Sequence, residues 1–139
     1  MGGRAQDRNP VSPEKNAPID WQTVEEGKPP RGILWSTPVG GSAMGGPVVA
    51  KGLIWVGTNN SKPFDPGVEG DRGVLACFRE SDGKFLYQYT SPRLEKYTAD
   101  WPFYGLSGSP AVEGEKLWFI TNRREVVCLD FGPLSRGGG

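Results

Sequence analysis

Asn59, Asn60, Asp65, Glu69 and Asp71 place several side-chain oxygens within one short stretch of this chain. Hard cations such as calcium are held by oxygens of that kind. The spacing does not match the calcium-loop pattern DxDxDG, and Pro63 and Pro66 stiffen the stretch, so the residues read first as a solvated loop. No metal is expected, and Asn59, Asn60, Asp65 and Asp71 are the candidates should a cation bind. Asn59-Asn60-Ser61 is also a formal glycosylation sequon. A second cluster is Trp101, Phe103 and Tyr104, flanking Pro102. It can serve as a ligand or partner surface, or it can anchor a long connection to the core.

Catalytic groups are scarce. The chain has no histidine, which removes serine and cysteine triads, histidine general bases and haem attachment through Cys-x-x-Cys-His. Ser107 in Gly105-Leu106-Ser107-Gly108-Ser109 resembles a nucleophile elbow, but its second glycine comes one place early and no base accompanies it. There is no GxGxxG and no phosphate loop; Gly40, Gly41, Gly45 and Gly46 read as tight turns into a strand. Sixteen basic and sixteen acidic residues leave no net charge, and no basic stripe interleaves with aromatics, so nucleic acid is not expected as a partner. No run reaches membrane-spanning length, and the first residues lack the apolar core of a secretory signal.

The elements that would position these residues repeat. Gly45 to Asn60 reads GGPVVAKGLIWVGTNN and Gly108 to Arg124 reads GSPAVEGEKLWFITNRR. Pro47, Val49, Trp55, Thr58 and Asn59 recur as Pro110, Val112, Trp118, Thr121 and Asn122, each 63 positions on. Cys77 then matches Cys128 at an offset of 51, so the first copy carries 12 extra residues, SKPFDPGVEGDR. An insertion between matched strands is a surface loop, where repeat arrays place their binding chemistry.

Four short apolar runs, Pro47 to Ala50, Leu53 to Thr58, Val74 to Arg79 and Phe85 to Tyr89, are separated by turn residues and read as strands. With 21 glycines and 13 prolines in 139 residues, long helices have little room. Only Pro92 to Asp100 offers a helical turn. The runs Leu53 to Val56 and Leu117 to Ile120 are apolar on both alternating faces, which predicts sheets covered on both sides and stacked face to face. The two cysteines hold equivalent places on neighbouring sheets, about 10 Å apart. That is beyond the roughly 7 Å that a disulfide spans, so both are expected as reduced core thiols.

The order small-Pro-Val-Val, turn, apolar-Trp-Val-Gly-Thr, loop, Val-Leu-x-Cys-Phe, Ser-Asp-Gly-Lys-Phe-Leu-Tyr resembles the blade of pyrroloquinoline-quinone-like (quinoprotein-type) β-propellers. That family's blade motif falls on Cys77, Phe78, Arg79, Asp82, Gly83, Lys84, Phe85, Leu86 and Tyr87. Here Arg79 replaces the acidic residue, Asp82 the threonine and Tyr87 the tryptophan. RGILWSTPVG (31–40) is similar to the outer-strand segment GKFLYQYTSP (83–92), with Trp35 where Tyr87 stands. With DRNPVS and DWPFYGLSGSP, the whole resembles secreted bacterial PQQ-binding-like propeller proteins over roughly Asp7 to Phe131.

The resemblance implies an all-β chain: a partial β-propeller of four-stranded antiparallel blades, about one and a half of them plus an orphan N-terminal strand. Its expected parts are an extended arm (1–30), the orphan outer strand (31–40), a first blade (44–90), a connection (91–107), an incomplete second blade (108–131) and a flexible tail (132–139). Propellers close with about four to eight blades, so the chain reads as a fragment or as a unit that assembles with copies or with the remaining blades. The implied role is a non-catalytic binding or scaffolding segment, periplasmic or secreted, that takes a protein or small-molecule ligand and needs no cofactor. The alternative is a fragment of a quinone-dependent dehydrogenase, in which PQQ and calcium would sit at the centre of a larger ring.

Overall fold

The structure, a computed structural model, describes residues 15–16, 19–22, 31–94 and 101–136. The chain divides into two compact units, Met1–Ser36 and Thr37–Gly139. In the first, Gln22 and Arg31 exchange backbone hydrogen bonds of 2.9 and 3.2 Å, and the Arg31 guanidinium meets Asp20 at 2.7 Å.

Among its described residues the second unit is all-β apart from one helical turn. Strands β1 (Val48–Ala50), β2 (Leu53–Asn59), β3 (Arg72–Arg79) and β4 (Phe85–Pro92) form a four-stranded antiparallel sheet in chain order. Strands β5 (Ala111–Glu113), β6 (Lys116–Ile120) and β7 (Val126–Asp130) form a three-stranded one. The turns follow from their residues. Lys51 and Gly52 both have positive φ, 51° and 75°, the requirement of a type I′ hairpin turn. At the β5–β6 turn only Gly114 has positive φ, as a type II′ turn demands of its first central residue. In the β3–β4 turn Arg79 and Asp82 pair at 3.0 Å. An exposed pair of this kind adds at most about 1 kcal/mol.

Register makes the repeat physical. Trp55 lies opposite Val48 and Cys77; Trp118 lies opposite Ala111 and Cys128. Because alternate residues of a strand share a face, Leu53, Trp55, Leu75 and Cys77 line one face of the first sheet. They pack against Leu117 and Phe119 of β6, with Val112, Val127 and Leu129 beside them. The Tyr89 and Phe119 rings meet edge to face at 5.0 Å. Each large side chain buried in this layer contributes roughly 1.5–3 kcal/mol. The Trp-bearing face of sheet one therefore meets the face of sheet two that does not carry its tryptophan.

The other face of sheet one, with Val74, Ala76 and Phe78 buried and Ile54, Val56 and Phe85 beside them, is covered by Phe64 and Val39. Phe64 stacks flat on Phe85 at 4.8 Å and edge-on to Phe78 at 5.5 Å. The second sheet departs from the expectation of cover on both sides. Trp118 is only half-buried, and Ile120, Val126 and Cys128 are exposed. Cys128 is thus no core thiol, because no layer of the described residues lies over its face; Cys77 is buried as expected, and both thiols are free.

Three further differences stand out. Residues 32–40 form no strand among the described residues, and only Arg31 makes a bridge; Gly32, at φ 69°, breaks the extended run that the similarity to β4 suggested. The β-turn role assigned to Gly40 and Gly45 is instead close approach. A Cβ on Gly40 would stand 2.1 Å from the Asn59 carbonyl oxygen, and one on Gly45 would stand 2.8 Å from Gly108, its own repeat equivalent. Lastly, Gly132–Ser135, within the expected tail, is the helical turn α1, started by Pro133 at its first turn. It sets Leu134 against the core beside buried Phe131, and Arg136 ties it to Glu115 at 2.8 and 3.0 Å. Most of the helical turn expected over Pro92 to Asp100 lies outside the described residues.

Candidate functional site

At the far end of β2 the chain spends its polar residues on backbone. Thr58, Asn59 and Asn60 are all buried, and buried polar groups must find partners. Asn60 lies at the root of the insertion and donates through Nδ2 to the carbonyls of Val68 and Gly70, at 2.7 and 3.1 Å. Asp65 closes a tight turn within the loop by accepting from Gly67 N at 2.8 Å, the local bond that favours Asp in turns. Asn59 points the other way. Its Oδ1 accepts from Gly41 N at 2.9 Å, Ser61 N at 3.1 Å and Ser61 Oγ at 2.8 Å. Its Nδ2 donates to the carbonyl of Phe103.

Phe103 is held from both sides. Its N–H donates to Asp71 Oδ2 at 2.9 Å while its carbonyl takes the Asn59 amide. The backbone there has φ 56°, a conformation that is an outlier for a bulky side chain and persists only where the surroundings impose it. Tyr104 N bonds back to the Trp101 carbonyl at 3.1 Å, Gly105 turns the chain at φ 73°, and Leu106 N docks on the Thr58 carbonyl at 3.0 Å. The Leu106 side chain is buried in the inter-sheet core. The anchor of this connection is thus Leu106, while Trp101, Phe103 and Tyr104 are all exposed, Trp101 by 65%.

The four oxygen candidates are divided between tasks. Asn59 and Asp71 converge on one residue, Phe103, from its carbonyl and its N–H side, and Asn60 and Asp65 hold the insertion loop. Among the described residues no group of three or more His, Cys, Asp or Glu side chains gathers as a metal site would require. Beside the aromatic turn, Glu69, Gly70, Asp71, Arg72, Pro92 and Arg93 line an open cleft of about 230 Å³. Asp71 belongs to both features, since its carboxylate lies 3.7 Å from Arg93 Nε. Arg72 Nε donates to the Glu69 carbonyl at 2.8 Å, so the cleft wall is also built of paired groups. Arg72 and Arg93 were missed by sequence reasoning, which had no reason to place Pro92-Arg93 next to the insertion. Ser107 is exposed, and no candidate base stands with it among the contacts described.

Compared with family models, with curated proteins and with solved structures, the chain matches none. No helix among the described residues is long and apolar enough to cross a membrane.

Proposed function

We propose that this chain is a non-catalytic binding or scaffolding segment of a β-sheet repeat protein of the bacterial envelope, of the propeller kind its sequence resembles. Its contact surface is the turn carrying Trp101, Phe103 and Tyr104. The observation that carries this reading is the double hold on Phe103. Strained backbone fixed by a buried amide and a carboxylate keeps three aromatic side chains in water, where a fold built only for stability would bury them. Aromatic side chains on a rigid support, with guanidiniums at hand, are the composition of binding hot spots. The absence of histidine fits a role that asks for contact and no proton transfer. Further sheets of the same repeat, brought by other copies of the chain, export to the periplasm, and a protein or small-molecule ligand all belong to this proposal.

A displayed peptide library selected against the full chain tests it. Enriched peptides should lose about tenfold or more in affinity on the Trp101→Ala and Tyr104→Ala variants, and a similar amount on Asp71→Ala, which frees the turn without removing a ring. Peptides that bind these variants as well as the parent would place the contact surface elsewhere.

A further inference from the structure

We propose that the open face of the second sheet pairs with the same face of a second copy of this chain, about a two-fold axis. Ala111, Trp118, Ile120, Val126 and Cys128 share that face by register. Ile120 is 61% exposed and Val126 72%, values at which a solvated strand normally carries polar residues. The equivalent face of the first sheet, around Trp55 and Cys77, is covered by a sheet layer. The same molecule thus demonstrates that this face type accepts a β-sheet as its cover.

The choice of a second copy, like face on like face, follows from the other end of the stack. Head-to-tail stacking would lay the open face on the Val74, Ala76 and Phe78 face of the next copy, but Phe64 and Val39 already occupy it. A molecule with one apolar end closed and one open pairs through its open ends, and such pairing closes at two subunits. Charge agrees. Glu113, Lys116 and Asp130 are cross-strand neighbours in one row along that face, alternating in sign. Such a row lets Lys116 approach a carboxylate of the second copy without a like-charge clash, and it rims the apolar patch as interaction surfaces are rimmed. Three strands of this length present on the order of 250 Å², against about 800 Å² per partner in a standard interface. The pairing is therefore weak and reversible, with a dissociation constant on the order of 100 µM.

Sedimentation velocity of the full chain, from about 10 µM to about 1 mM around that constant, should show a monomer–dimer equilibrium that stops at the dimer. Cys128 lies on the face and Cys77 is buried, so labelling by a thiol-reactive disulfide reads the face directly. The Cys128 rate should fall about fivefold when total protein reaches ten times the dissociation constant. Ile120→Lys and Val126→Lys, both at exposed positions, should abolish the dimer and the concentration dependence. A monomer at all concentrations with a constant Cys128 rate would overturn the proposal, as a cover from a different protein would require. So would a dimer that both lysine variants leave intact, or growth beyond two copies. Labelling of the unaltered chain decides the matter even where a variant fails to fold.

Discussion

Cys77 and Cys128 occupy the same rung of two repeated sheets, each directly opposite a tryptophan, Trp55 and Trp118. One is buried and the other exposed. Equivalent rungs thus acquire opposite chemistry, because a second layer covers the first and, among the described residues, none covers the second. With the folded chain dilute, a thiol reagent should modify Cys128 rapidly and Cys77 only at the rate of unfolding, while the denatured chain should titrate two thiols. Mass spectrometry of the modified peptides checks the assignment; equal rates would mean that the layers separate readily.

Burial also pushes the Cys77 thiol up from its ordinary value of 9.0 to about 12. A raised acid pKa means that the folded state keeps its proton while the unfolded chain releases it. The contribution to stability is complete below pH 9 and declines toward pH 12, by about 1.4 kcal/mol per pH unit at most. Urea unfolding between pH 8 and 11 should therefore show a steeper loss for the parent than for Cys77→Ala, which carries no proton to release.

Phe64 acts as a lid on the outer face of the first sheet, through its stack on Phe85 and its edge contact with Phe78. Phe64→Ala should lower stability by about 2–3 kcal/mol, as loss of a packed aromatic ring does when partly exposed. It should also raise binding of a hydrophobic dye by uncovering Phe78 and Phe85. A change below about 0.5 kcal/mol, the range of ordinary surface substitutions, would show that the insertion does not hold this face.

Asn59 serves four backbone or hydroxyl groups at once, on Gly41, Ser61 and Phe103. Asn59→Ala strips these partners inside a buried site, at a cost of about 2–3 kcal/mol. Amide exchange should accelerate first at Gly41 and Ser61, and the Phe103 turn should loosen with them. Asp71→Ala should accelerate exchange at Phe103 while leaving Gly41 protected, which separates the two halves of the hold.

What residues 45–131 say locally, they say clearly. Alternating apolar runs, Lys51-Gly52 and Gly114 at positions that need positive φ, and the matched Trp and Cys positions are properties of neighbours in sequence. Strand positions and hairpin turns depend mainly on such neighbours, and the observed strands fall on the expected runs within a few residues. The oxygen-rich loop was legible as a loop and its aromatic companion as a cluster, but their roles were not. Asn59 and Phe103 stand 44 residues apart, and no local pattern says that a side-chain amide at one will hold a carbonyl at the other. The same holds for Gly45 against Gly108, and for Phe64, whose ring reads as part of a polar insertion until the loop folds back over Phe85. Face pairing was the least legible of all. A repeat copies residue types from one sheet to the next, but it cannot copy surroundings, since each layer is covered by a different neighbour. The residue pattern alone therefore determined the strands, their turns and the equivalence of their rungs. Which rung lies in the core and which faces water was decided by the stacking of the sheets, because burial is a property of what lies across the gap.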